Sequence, residues 1–273
     1  MRGHKGMRWE QKFRGKTNKV SDYTVAASRI VTGQRYAHAS EMVRGGSVSA
    51  MGSAVPPVLK KIHRYLDDIW ANIYLESHER QNMLMLCGAV PGEGCTFISF
   101  HLALFLALEH NLKVLYVDTD AGGNVSIPII PGIERLPGIA SYFTSQQSLS
   151  SLTLRSEYDN LFVLPSGFQT ISEGAPHRNS IFKKEAVESF MSYCRGNFDI
   201  TIIDSQPIAF NPVMIGFARP LGKVVLVCRY GYSRREVTKI TVDKLIKNNI
   251  TVIGVILNER EYPIPPWVYN ILK

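Results

Sequence analysis

Three short segments of this 273-residue chain carry residue types whose spacing suits phosphate and metal chemistry. The first is Ala89-Val-Pro-Gly-Glu-Gly-Cys-Thr96, set between an apolar run and a helical pattern. In a P-loop, glycines let backbone N–H groups surround phosphates, a lysine contacts the terminal phosphates, and a Ser or Thr hydroxyl holds magnesium. Gly92, Gly94 and Thr96 stand at that spacing, and Cys95 occupies the lysine position. The same residues also suit a plain tight turn from strand to helix, so this loop alone decides nothing. The second segment, Val114-Leu-Tyr-Val-Asp-Thr-Asp120, ends an apolar run with two carboxylates two residues apart. The third, Asp199-Ile-Thr-Ile-Ile-Asp204, ends another with an acidic residue. A carboxylate at a strand's carboxyl end can reach magnesium directly or through water, although Asp there often only caps the next element. Three such junctions in this order are much more specific than any one.

The elements that must position these residues are legible as alternating patterns. Short apolar runs at Met83–Cys87, Val114–Val117, Leu161–Leu164, Ile200–Ile203, Val224–Val227 and Val252–Leu257 read as strands. Helical spacing occupies Thr96–His110, Ile181–Arg195 and Ser233–Asn248, and an earlier helix over Val58–Leu75 places Ile62, Leu66, Ile69 and Ile73 on one face. Strands apolar on both faces, alternating with helices, predict a three-layer α/β fold with a mainly parallel sheet. Ligands on such sheets bind at the carboxyl ends of the strands, where the three junctions fall.

Charge divides the chain. Residues 1–64 carry 13 Lys/Arg against 3 Asp/Glu, whereas the remainder is nearly neutral at −2. The expected organisation is a basic, largely flexible or extended arm over 1–56 and a folded domain over 57–273. In the arm, Arg2, Lys5, Arg8, Lys12, Arg14, Lys16 and Lys19 surround Trp9 and Phe13. That composition suits an anionic surface, and residues 1–20 are the candidate contact with a membrane; a solvated tail is the plain alternative. No recognition-helix motif supports sequence-specific DNA binding. The start lacks a signal-peptide apolar run, and the longest apolar stretch, Phe97–Leu108, is broken by His101 and too short for a bilayer. Cys87, Cys95, Cys194 and Cys228 show neither metal-ligand spacing nor a disulfide framework. A soluble, reduced, cytoplasmic protein is expected.

From Pro57 onward the chain resembles the cytoplasmic ATPase domain of bacterial tyrosine kinases and related exopolysaccharide-synthesis proteins, within the MinD/ParA-like P-loop ATPases. Ala89-Val-Pro-Gly-Glu-Gly94 is similar to that family's Walker A lead-in, Asp118 and Asp120 to its second acidic motif, and Phe198–Asp204 to its Walker B strand. Leu161–Gly167, Val224–Arg229 with Ser233-Arg-Arg-Glu, and Val252–Asn258 resemble its later strands. The resemblance implies ATP or ADP with magnesium as cofactor. Gly92, Glu93, Gly94, Cys95, Thr96 and Asn258 would lie around the nucleotide, with Asn258 at the adenine. Thr96, Asp118 and Asp204 would serve the metal, and Asp118, Asp120 and Asp204 any catalysis.

Departures from the pattern shape the functional expectation. Cys95 replaces the Walker A lysine, and Val90 stands where MinD-type members carry their signature lysine. Phosphoryl transfer relies on electrostatic stabilisation, so this loss costs on the order of 10² to 10⁴ in rate. The tail offers only Tyr262 and Tyr269 in place of a tyrosine cluster, and the kinases' Glu-x-x-Arg-x-x-Arg oligomerisation motif aligns with Arg64, Asp67 and Trp70. Self-association by another surface stays open. The expectation is a catalytically impaired regulatory or scaffolding subunit of an exopolysaccharide synthesis and export complex. It would sit beside an inner-membrane polysaccharide copolymerase, peripheral to the inner face of the cytoplasmic membrane. The alternatives are an active ATPase or tyrosine kinase completed by a partner's cation, and a MinD/ParA-like positioning ATPase. Cys95 itself, at a helix N-terminus, is either a reactive low-pKa thiol or a space filler.

Overall fold

The computed structural model describes residues 27–29, 56–76, 82–120, 132–168, 182–209, 211 and 213–259. Its centre is a sheet of eight strands in the order β1-β8-β7-β2-β6-β3-β5-β4. The strands are β1 (Ala27–Arg29), β2 (Met83–Gly88), β3 (Val114–Asp118), β4 (Leu154–Arg155), β5 (Leu161–Leu164), β6 (Ile200–Ser205), β7 (Lys223–Arg229) and β8 (Thr251–Asn258). Every pairing is parallel except the antiparallel pair of β4 with β5. This is the expected three-layer α/β architecture.

Alternation along the strands explains the layers. In β2, Leu84 and Leu86 join one apolar cluster while Met83, Met85 and Cys87 join the other. Such two-faced burial is what an all-apolar parallel strand requires. The first face is covered by α1 (Pro57–Glu76) and α2 (Cys95–Leu108), with Leu59, Ile62, Leu66 and Ile69 packed toward the sheet. The second is covered by α5 (Lys184–Asn197), α6 (Val213–Leu221) and α7 (Arg235–Lys247), through residues such as Phe190, Phe217 and Leu245. Two short helices, α3 (Ile139–Ser145) and α4 (Leu149–Leu152), lie between β3 and β4. α2 is apolar nearly all round, with Leu102 to Ala107 buried, so it is the central helix of its layer.

Register then gathers the carboxyl ends. Asp118 on β3 pairs with Asp204 on β6, Cys87 on β2 with Ser205, and Arg229 on β7 with Asn258 on β8. The loop after β2 therefore faces acids from one side and the ends of β7 and β8 from the other. Strand β1 brings residues 27–29 of the basic arm onto the edge of β8. The rest of the arm, including Trp9 and Phe13, and the tail tyrosines Tyr262 and Tyr269 lie outside the described residues. Arg64 and Asp67 are exposed on α1, and Trp70 packs half-buried against the core. Among the described residues no helix is long and apolar enough to cross a membrane.

Candidate nucleotide site

The loop from Ala89 to Gly94 is held by its carbonyl groups. The Tyr232 hydroxyl donates to Pro91 O at 3.0 Å, the Arg229 guanidinium to Gly92 O at 3.3 Å, and the Asn258 amide to Glu93 O at 3.0 Å. Three consecutive carbonyls thus turn toward β7 and β8. A trans peptide places each C=O opposite the following N–H, so the N–H groups of Gly92, Glu93 and Gly94 face the other way. Gly92 and Gly94 adopt φ of +84° and +86°, the left-handed backbone this turn requires. At Gly94 a side chain is also excluded by space, since a Cβ would lie 2.2 Å from the Asn258 amide nitrogen.

Helix α2 starts where the loop ends. Gly94 is its N-cap and provides no side-chain cap; the first helical bond runs from Ile98 N to Gly94 O. The N–H groups of Cys95, Thr96 and Phe97 therefore precede the first helical acceptor-to-donor pair, and the positive end of the helix dipole lies at the loop. Successive N–H groups converging at a helix N-terminus are an anion cradle. The donor set fits the phosphates of a nucleotide, except that the usual cation is replaced by Cys95.

The Glu93 side chain is bonded within the loop itself. Its side chain, 1% exposed, folds back inside the loop and accepts N–H bonds from Ala89 and Val90 at 2.5 and 3.0 Å. The Ser233 hydroxyl donates to its other oxygen. Glu93 is thus an internal brace, and its carboxylate faces protein donors instead of a ligand. Asn258 is committed in a similar way, for its oxygen accepts the N–H of Glu259 while its amide holds Glu93 O.

On the opposite side, Asp118, Asp120 and Asp204 stand at the ends of β3 and β6. Asp204 is 2% exposed. Its carboxyl oxygens lie 3.0 Å from the Ser99 hydroxyl and 3.1 Å from the Tyr116 hydroxyl, and Thr96 bonds to it as well. Ser99 has one proton and also lies 2.5 Å from Cys95 O, so it donates to only one of these oxygens at a time. Burial raises the Asp204 pKa above the usual carboxylate range, against the pull of those hydroxyls. Burial and the neighbouring Asp204 charge push Asp118 up to about 7. Asp120 donates its N–H to Asp118 at 2.7 Å and accepts the Gln206 amide at 2.7 Å. Gln206 in turn accepts from Asn211, whose oxygen takes the first N–H of α6 at Val213.

The structure therefore joins Thr96, Asp118, Asp120 and Asp204 on one side of the loop. Thr96 beside Asp204 is the arrangement in which a hydroxyl and a carboxylate serve a phosphate-bound magnesium ion. Among the described residues no three His, Cys, Asp or Glu side chains converge as a self-contained metal site. Magnesium here would depend on the phosphates for ligands. Cys95 opens the helix half-buried, and burial first and the Asp204 charge second push its thiol up, against the lowering a helix N-terminus gives.

Comparisons with known proteins agree with this geometry. A family model described as an AAA domain matches residues 88–215. Tyrosine-protein kinase etk of Escherichia coli is 24% identical over 179 residues, covering 65% of this chain and 23% of that protein. Tyrosine-protein kinase CpsD of Streptococcus pneumoniae is 23% identical over 203 residues, 74% of this chain and 86% of its own length. The chain is similar to bacterial tyrosine kinases over about two thirds to three quarters of its length. It spans about a quarter of the longer kinases it matches. Two solved kinase domains of this family share its fold. That of Escherichia coli ETK superposes with a TM-score of 0.68 at 16% identity, over 88% of this chain and 94% of that one. The VpsO kinase domain gives 0.58 at 24%, over 76% and 100%.

Several site residues escape the family pattern. Arg229, Tyr232 and Ser233 brace the loop from β7 and the turn after it, and only the fold brings them to a segment some 140 positions earlier. Tyr116 could have been found, because it precedes Asp118 by two and so shares its face of β3. Gln206 and Asn211 carry no motif that announces them.

Proposed function

We propose that this chain is a catalytically impaired, nucleotide-binding regulatory or scaffolding subunit of a bacterial exopolysaccharide synthesis and export complex. The observation that carries the reading is the loop itself: its N–H cradle is assembled by Tyr232, Arg229 and Asn258, while its cation position holds Cys95. Magnesium with ATP or ADP would bind through the N–H groups of Gly92–Thr96, the Thr96 hydroxyl and the acids Asp118 and Asp204. Bound magnesium would neutralise phosphate charge, and this chain's residues would orient and enclose it. Turnover would be slow, because the charge developing on the transferred phosphoryl group lacks its fixed cation. Similarity to bacterial tyrosine kinases supports the polysaccharide setting, with a membrane copolymerase as partner and residues 1–20 as the contact with an anionic leaflet. The protein would then lie peripherally at the inner face of the cytoplasmic membrane.

The test is to measure nucleotide occupancy and phosphate release on the same full-length sample. Occupancy without appreciable release is the expected result. A second reading, an active kinase or ATPase completed by a partner's Arg or Lys, is favoured by the intact acids Asp118, Asp120 and Asp204. It predicts that adding the partner raises phosphate release and that Thr96→Ala abolishes it. A scaffold would keep partner binding in the Thr96→Ala variant.

A further inference from the structure

We propose that Tyr116 is a positioning residue for magnesium at this site, its hydroxyl fixing the Asp204 carboxylate beside Thr96. The inference rests on the nucleotide-binding reading above and adds which residue holds the acid in place. Tyr116 and Asp204 lie on neighbouring strands but not opposite each other. Register sets Tyr116 against Ile202 and Asp118 against Asp204. Tyr116 therefore reaches diagonally, two positions along β6, a span within the length of an aromatic side chain. Its hydroxyl ends 3.1 Å from one Asp204 carboxyl oxygen. Tyr116 is 3% exposed, and Phe100 of α2 packs edge-on against its ring with centroids 5.7 Å apart. A ring enclosed between sheet and helix delivers its hydroxyl to one point.

Three hydroxyls serve the buried carboxylate, and they are not equivalent. Thr96 is the one read above as serving magnesium. A hydroxyl that gives a lone pair to a cation turns its proton away toward an acceptor, and Asp204 is the acceptor beside it. Ser99 meets the other carboxyl oxygen at 3.0 Å, but Cys95 O competes for its single proton at 2.5 Å. Tyr116 has no such division, because Asp204 is the one hydrogen-bond partner of its hydroxyl among the described residues. A carboxylate held at one oxygen by Tyr116 resists rotation about its Cβ–Cγ bond, which would carry it out of line with Thr96. Losing the hydroxyl leaves that oxygen without its donor in a residue 2% exposed, where little water can replace it.

The experiment titrates magnesium chloride into the full chain with a fluorescent ADP, for wild type, Tyr116→Phe and Ser99→Ala. Tyr116→Phe keeps the ring against Phe100 and removes the hydroxyl alone. It should raise the magnesium concentration at half-saturation about tenfold, as loss of an outer partner of a metal site does. With EDTA in place of magnesium, its affinity for the fluorescent ADP should stay within about twofold of wild type, because the N–H cradle is untouched. Ser99→Ala should shift the magnesium requirement less. In an Asp204→Asn background Tyr116→Phe should add little, since the residue acts through that acid. Circular dichroism confirms folding, and Tyr116→Leu, which also lacks the hydroxyl, replaces Tyr116→Phe if that variant does not fold. The proposal is overturned, with nucleotide binding left standing, by any of four results: an unchanged magnesium requirement, an equal loss with and without magnesium, a larger shift from Ser99→Ala, or an undiminished effect beside Asp204→Asn. Wild-type protein that binds no nucleotide up to millimolar concentration, or binds it no better with magnesium, would overturn the underlying reading and the proposal with it.

Discussion

The two sides of the loop between β2 and α2 are built on opposite principles. Toward β7 and β8, the loop is fixed by hydrogen bonds from Tyr232, Arg229, Asn258 and Ser233, which leaves backbone N–H donors on its other face. Toward β3 and β6, Asp118, Asp120 and Asp204 stand at the strand ends. A lysine normally connects the two sides, supplying charge at the junction of cradle and acids. Here Cys95 stands in that place, and the loop keeps its shape through bonds that do not involve it. The shape rests on residues far along the chain, so losing the lysine leaves it standing.

The strongest way to break the contrast is to return the charge. Cys95→Lys should raise phosphate release by roughly 10² to 10⁴, measured as steady-state hydrolysis at saturating magnesium nucleotide. No gain would mean that the acidic side is also unfit for catalysis. Damaging the shape should be the next largest effect. Gly94→Ala forces a Cβ to within 2.2 Å of the Asn258 nitrogen at a φ of +86°. It should cost about 3 kcal/mol in urea unfolding and abolish nucleotide binding, through strain and the lost amide bond. Asn258→Ala keeps the backbone conformation and removes only the brace at Glu93 O. About 1–3 kcal/mol of stability and a partial loss of affinity are expected. If its binding matched wild type, Tyr232 and Arg229 would suffice to orient the loop.

The acidic side can be sharpened by pH. Asp118 has a folded pKa near 7, above its unfolded value, chiefly through burial. The folded state therefore holds a proton that the unfolded state has already lost, and stability falls as pH rises from about 4 to 7. Thermal unfolding of the ligand-free protein should show that decline, and Asp118→Asn should flatten it. Magnesium-dependent nucleotide binding should move the other way, strengthening toward pH 8 as the carboxyl gives up its proton.

Much of this was legible in the sequence, for identifiable reasons. Strands β2, β3, β5, β6, β7 and β8 are apolar on both faces and bounded by polar residues, so periodicity located them to within about two residues. The acids at 118, 120 and 204 were visible because they end such strands. Helix α6 was missed because Pro212, Gly216 and Pro220 interrupt its pattern, although Pro220 falls in its last turn, where the helix tolerates it. The arm's short strand at Ala27–Arg29 was missed because three residues carry no period. The roles of Glu93 and Asn258 were hidden for another reason. Motif position tells which residue stands near a nucleotide, while hydrogen-bond partners from β7 and β8 decide which way its side chain turns.

The central claim, that the cradle works without its lysine, is tested most directly by calorimetric titration of the full chain with ADP and magnesium. A single site with micromolar affinity, lost in Gly94→Ala, is the predicted result. No heat of binding up to millimolar ADP would contradict it, and would make the braced loop a structural turn.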